Sequence, residues 1–107
     1  MSLPNLTHLQ FLVVSQLLKG GMTGRHLRAH LGRCGVKKSG PAFYQLMARM
    51  EDAGLVRGRY DQEIVDSQII RQRHYQLDAA GRRAWQRSRD FYAEAIGATG
   101  NEEPALG

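Results

Sequence analysis

At 107 residues with 42% hydrophobic content, the chain can form one domain with a modest core and is too apolar to be wholly disordered. Its formal net charge of +5 points to a polyanionic partner, nucleic acid first among them. A single cysteine, Cys34, excludes an intrachain disulfide and suits a reducing compartment, so a cytoplasmic location is expected.

The opening Met-Ser-Leu-Pro-Asn carries no secretory pattern, and the longest apolar run, Phe11 to Val14, is too short to span a membrane. Residues 5 to 18 read as a first helix, capped by Asn5 or Thr7 and ended at Gly20-Gly21. Leu6, Leu9, Phe11, Leu12, Val13, Val14, Leu17 and Leu18 make it apolar over more than one face. Such a helix belongs in a core, with surplus width that a partner subunit would cover.

Thr23 to Leu31 read as a short second helix with Thr23 as N-cap, Leu27 and Leu31 as core contacts, and Gly32 and Gly35 as the exit. Arg25, Arg28, Arg33, Lys37 and Lys38 crowd this helix and the next loop. They are either a solvated basic face or a set of phosphate contacts. His26, His30 and Cys34 stand at i, i+4, i+8, a spacing that on one continuous helix resembles a zinc face. A stop at Gly32, the lack of a nearby fourth ligand and the surrounding arginines argue against a metal, and no cofactor is expected.

Residues 37 to 56 hold a third helix with its signals intact. Ser39 is the N-cap, Pro41 sits in the first turn, and Gly54 is a left-handed stop before Leu55-Val56. Phe43, Leu46, Met47 and Met50 form an apolar stripe at spacings of three and four. Ser39, Ala42, Tyr44, Gln45 and Arg49 fall on other faces, where they suit a DNA major groove. Gln45 would read adenine, and Arg49 either guanine or, lying past the first helical turns, a backbone phosphate or solvent; Lys37 and Lys38 stand at the helix entrance for a phosphate.

Leu55–Tyr60 and Ile69–Leu77 read as the two strands of a hairpin, with residues 61–68 as its loop. The stems are basic, with Arg57, Arg59, Arg71, Arg73 and His74. The loop is acidic, with Asp61, Glu63 and Asp66, so the stems rather than the loop should approach a DNA backbone. On this reading, neutralising the three acids together strengthens DNA binding or leaves it unchanged.

Asp78 to about Ile96 read as a last helix capped by Asp78. Its Ala84, Trp85, Ser88, Tyr92 and Ile96 face needs a cover, either the chain's own first helix or a second subunit. The dimer reading places Phe11, Val14, Trp85, Tyr92 and Ile96 at the interface. Residues 97–107 read as a flexible tail behind a domain spanning 1–96.

Two stretches resemble the PadR-like winged-helix transcription regulators. Gly40, Tyr44, Leu46, Met50, Glu51, Gly54, Leu55 and Val56 approximate the recognition-helix pattern of that family with small offsets. Tyr75-Gln76-Leu77-Asp78-Ala79-Ala80-Gly81 is similar to its Tyr-x-Leu-Thr-x-x-Gly strand-to-helix junction, with Asp78 for Thr. The resemblance covers roughly residues 6 to 92. In the second helix Gly24 and Leu27 fit the family, and Arg25 replaces its Tyr.

The resemblance implies a mainly α fold with a small β-hairpin: a winged helix-turn-helix with a C-terminal dimerisation helix. It further implies a homodimeric, sequence-specific regulator of transcription on double-stranded DNA, acting as a repressor. Some members of the family respond to small molecules; no effector pocket is legible in this sequence, and Trp85, the first candidate to line one at a dimer seam, is read as a core or interface residue. The competing readings are a winged-helix protein-interaction module and a non-specific architectural DNA binder. No phosphate-binding glycine loop, nucleophile elbow, His-Glu-x-x-His pair or spaced carboxylate pair is present, so no enzyme is expected.

Overall fold

The computed structural model describes residues 6–97, in the order α1 (His8–Leu17), β1 (Met22–Thr23), α2 (Gly24–Arg33), α3 (Gly40–Asp52), β2 (Val56–Val65), β3 (Gln68–Leu77) and α4 (Ala79–Ala95). Asn5 and residues 98–107 of the expected tail lie outside the described residues. Thr7 starts α1 with a reciprocal cap. Its hydroxyl accepts from the Gln10 amide at 3.1 Å, and its own amide donates to the Gln10 side chain at 3.0 Å.

α2 corrects the expected stop at Gly32. The helix runs through Gly32 to Arg33 and ends at Gly35, whose φ of +92° is left-handed. There the Val36 amide donates to the Leu31 carbonyl at 2.8 Å and the Gly35 amide to the Gly32 carbonyl at 3.0 Å, satisfying the last carbonyls of the helix. α3 ends the same way at Gly54, φ +75°, with Leu55 bonded back to Met50 and Gly54 to Glu51.

Asp78 occupies the N-cap position of α4 with extended backbone, but its side chain makes no cap hydrogen bond. It pairs with Arg57 at 3.4 Å instead, so the expected capping role is corrected.

The sheet has three antiparallel strands in the order β1-β3-β2, one more than the expected hairpin. β1 is only Met22–Thr23, paired with Tyr75 and His74, too short to leave a period in the sequence. β2 and β3 are longer than expected and stay in register from Val56↔Leu77 to Val65↔Gln68. Residues 61–65, expected in a loop, are strand because Asp61, Glu63 and Ile64 sit opposite Gln72, Ile70 and Ile69. The turn is Asp66-Ser67, with φ of 52° and 65°, the positive pair that a tight hairpin twist requires.

The core joins all four helices to the root of the sheet. Val13, Val14, Leu17, Leu27, Leu31, Phe43, Met47, Met50, Val56 and Tyr75 are buried in it. Burying such side chains contributes about 1.5–3 kcal/mol each. The result is a winged helix: three packed helices, a long wing, and α4 laid against α1. Among the described residues, no helix is long and apolar enough to cross a membrane.

Candidate nucleic-acid interface

α3 buries the Phe43–Met47–Met50 side and turns Tyr44, Gln45, Ala48 and Arg49 outward. Ser39 fixes the start of the helix by accepting from the Ala42 amide at 3.2 Å, so its hydroxyl is engaged as a cap. Ser39 is exposed at the entrance and Ala42 is half-buried. Tyr44 stands edge-on to Phe43, with centroids 5.0 Å apart. It also lies over the first residue of α2: a Cβ on Gly24 would fall 2.8 Å from the Tyr44 ring. Gly24 therefore lets α2 and α3 approach closely enough to seat Tyr44 between them.

Thr23 caps α2 by accepting from the His26 amide at 3.1 Å, which leaves Arg25 in the first exposed turn. Arg28 donates from Nε to the Lys38 carbonyl at 2.9 Å and ties the loop before α3 to α2. A groove of about 420 Å³ results, lined by Arg25, Arg28, Lys37 and Lys38 with Tyr44, Ala29 and Gly32. Four of the five cations that the sequence scatters over 25–38 thus surround one groove beside the outward face of α3, with Arg33 outside it.

A second cleft of about 580 Å³ opens between α3 and the wing, sharing Arg25 and Tyr44 with the first. Its wing side carries Tyr60, Arg71, Arg73 and Tyr75. Arg71 lies 4.3 Å over the exposed Tyr60 ring, which holds its guanidinium toward the cleft. Arg73 departs from the expectation of a free DNA contact. Its Nη2 is 2.7 Å from Glu51 of α3, and the two side chains are only 24% and 25% exposed. Arg73 is a strut between α3 and the wing. Gln45 and Arg49 are exposed on α3 and line neither cleft.

Burial pushes the Tyr75 hydroxyl up to about 12, so Tyr75 stays neutral in the cleft floor. Asp61 is pulled below the usual carboxylate range by its hydrogen bond from Arg59, 3.1 Å away. Strand alternation puts Asp61 and Glu63 on the ribbon face opposite Tyr60 and Arg71. The expected acidic loop is therefore two acids on the far face of the wing, with Asp66 alone in the turn.

The sequence marks Tyr60 only as a strand residue and Glu51 only as part of the family-like pattern, neither as a site residue. Pairing Tyr60 with Arg73 in register would have found the first. Glu51 becomes visible only once α3 and the wing are packed together.

His30 and Cys34 meet, with Nε2 3.6 Å from Sγ, because α2 does not stop at Gly32. Burial, then Arg33, Lys19 and His26, hold the His30 ring below its ordinary value. Among the described residues, no three His, Cys, Asp or Glu side chains are placed to hold a metal.

The expected interface set divides. Val14 is fully buried in this chain's own core and is corrected to a core residue, because the stripe around it already packs within the chain. Phe11 stacks on Trp85 with centroids 6.2 Å apart, and Trp85 Nε1 donates to Ser15 Oγ at 2.9 Å, so α4 folds back on α1. Tyr92 and Ile96 stay uncovered, at 47% and 76% exposure. A shallow cleft of about 190 Å³ at that end is lined by Leu6, Thr7, His8, Phe11 and Tyr92.

No protein-family model matches the sequence, and no curated protein matches it. Solved structures do match. A PadR family transcription regulator from Clostridium difficile superposes with a TM-score of 0.72 at 18% identity, over 86% of this chain and 94% of that one. A padR family transcriptional regulator from Eggerthella lenta matches with a TM-score of 0.67 at 24% identity, over 85% and 77%. A transcriptional regulator from Clostridium thermocellum matches with a TM-score of 0.67 at 15% identity, over 86% of each chain. The chain thus has the winged-helix fold of these regulators.

Proposed function

We propose that this protein is a PadR-like transcription regulator that binds double-stranded DNA with sequence preference, as a homodimer, and represses. The observation that carries the reading is the convergence of Arg25, Arg28, Lys37 and Lys38 on one groove beside the outward face of α3. Those cations, joined by Arg71 across the second cleft, neutralise phosphates and release counterions. They fix register without reading sequence.

Specificity then belongs to α3. Gln45 pairs with an adenine edge, Arg49 with a guanine edge, and Tyr44 offers its ring and hydroxyl at the groove wall. Phe11, Tyr92 and Ile96, at the open end of the α1–α4 pair, supply apolar surface for a second subunit. Two recognition helices would then engage half-sites about 34–36 Å apart, one turn of DNA.

The test is selection of random double-stranded DNA by the purified protein, with the complex sized by light scattering. A two-fold-symmetric enriched site bound by two chains is the expected result. Failure to enrich any sequence would overturn the reading.

A further inference from the structure

β2 is an open sheet edge. The strand order β1-β3-β2 gives it one hydrogen-bonded neighbour, β3, so the outward amides and carbonyls of Val56–Val65 have no strand partner among the described residues. Ten residues is long for an edge, which natural sheets keep short or interrupt with lysine, proline or a bulge. β2 contains no lysine or proline, and its register with β3 runs unbroken from Val56 to Val65. Such an edge is a template for a further strand.

The charges of β2 identify which strand. Alternation puts Arg57, Arg59, Asp61 and Glu63 on one face, opposite Tyr60, in the order plus, plus, minus, minus. An antiparallel second copy presents the same face in the order minus, minus, plus, plus. With Tyr60 on the two-fold axis, Arg57 stands across from Glu63 of the second copy and Arg59 across from its Asp61, and the symmetry repeats both pairs. On the other face the two Tyr60 rings meet, each 60% exposed in the single chain.

Neighbouring alignments lack this match. Centring on Arg59 sets two arginines face to face, and centring on Asp61 sets two acids. A slip of one residue puts every charge against the uncharged face. The charges are also available. Arg59 reaches Asp61 along the strand at 3.1 Å and Arg57 reaches Asp78 at 3.4 Å, yet the two arginine side chains stay 56% and 69% exposed. Glu63 accepts from Gln72 at 2.7 Å and is exposed. Ile64 and the turn Asp66-Ser67 lie outside the paired stretch 57–63.

We infer that β2 pairs edge to edge with β2 of a second copy, antiparallel and centred on Tyr60, joining two three-stranded sheets into one of six strands. The shared ribbon over 57–63 is about 20 Å long at ~3.3 Å per residue. Its axis passes through the sheet, so both clefts beside α3 open on the same side. The contact uses none of Phe11, Tyr92 and Ile96 and does not rest on the DNA-binding reading.

The experiment follows sedimentation of the full chain against concentration at low and high salt. Wild type is compared with Arg57→Glu/Arg59→Glu, with Asp61→Arg/Glu63→Arg, and with all four changes together. None of the four side chains is in the core, and far-ultraviolet circular dichroism checks the fold of each variant.

Wild type should show an association step that weakens with salt. Each half-variant alone should lose it by about tenfold or more, because every charged cross-strand pair becomes a like pair. Their equimolar mixture should regain it, since an all-acidic edge then meets an all-basic one. The fourfold variant should regain it too, because it reverses the order and keeps the symmetry. A mixture or fourfold variant no better than the half-variants would overturn the pairing. So would half-variants that associate like wild type, or a wild type with no concentration-dependent step. Tyr92→Ser/Ile96→Ser tells the α1–α4 contact apart: a sole step that answers to that pair and not to the charges overturns the edge pairing.

Discussion

Gly81→Ala is the substitution whose effect the fold determines most sharply. Gly81 is buried in the first turn of α4, where the helix rests on the junction between α3 and β2. A Cβ there would be driven into the Leu55 carbonyl oxygen and would come 2.7 Å from Leu77 Cδ1. The first obstacle is backbone and cannot swing aside. The same carbonyl accepts from the Asp78 amide at 3.0 Å, so relieving the clash strains the bond that aims α4.

Overpacking of this kind costs about 1–3 kcal/mol. Weakening the hydrogen bond adds ~0.5–1.5 kcal/mol. Alanine's better helix propensity returns about 1 kcal/mol. The net expectation is a loss of about 0.5–3.5 kcal/mol, a fall in melting temperature on the order of 2–25 °C for a domain of this size. Thermal melts followed by far-ultraviolet circular dichroism, checked by urea unfolding, measure it. An unchanged or higher melting temperature would refute the close-approach argument.

Other consequences can be measured alongside. Glu51→Gln and Arg73→Gln should each destabilise, and a double-mutant cycle in urea should return a coupling of about 1 kcal/mol, kept modest because both side chains are a quarter exposed. Zero coupling would remove the strut between α3 and the wing.

Tyr75 gives a pH dependence. Its folded pKa, about 12, is above the ordinary 10.0, so the unfolded chain loses this proton first and folding stability falls as pH rises through 10 to 12. The full effect is about 2–3 kcal/mol. It should be largely absent from Tyr75→Phe when urea midpoints at pH 9 and pH 11 are compared; an equal slope in that variant would contradict it. Thr7→Ala should cost ~1 kcal/mol by removing the α1 cap, with DNA affinity unchanged. A variant as stable as wild type would count against the cap.

The helical half of the fold was legible because its signals are local. Thr23, Ser39 and Gly54 each do at their own position what their chemistry predicts, and Phe43, Met47 and Met50 mark the buried face by spacing alone. Gly32 misleads because a glycine in the last turn of a helix is tolerated, and there only Gly35 takes the left-handed conformation that stops the chain. The wing was misjudged because Asp61, Gln62 and Glu63 have poor strand propensity, and pairing with Arg71, Gln72 and Ile70 overrides it.

The candidate interface was legible as a cluster of charges. Which charges are free was not. Arg71 and Arg73 differ by two positions, yet one faces the cleft over Tyr60 and the other is held by Glu51, a residue 22 positions away. Val14 and Phe11 divide likewise: core against edge is a property of packing, and a wide apolar stripe does not reveal it.

The central claim is that phosphate contacts from the α2–α3 groove set affinity while α3 sets sequence. The most direct measurement is the slope of log affinity against log salt on the selected duplex, for wild type and for Arg25→Ala/Lys37→Ala. The account predicts a steep wild-type slope, made shallower by about 1.8 in the double variant at ~0.9 per lost phosphate contact, with base preference unchanged. A wild-type affinity indifferent to salt, or a double variant with the wild-type slope, would contradict it.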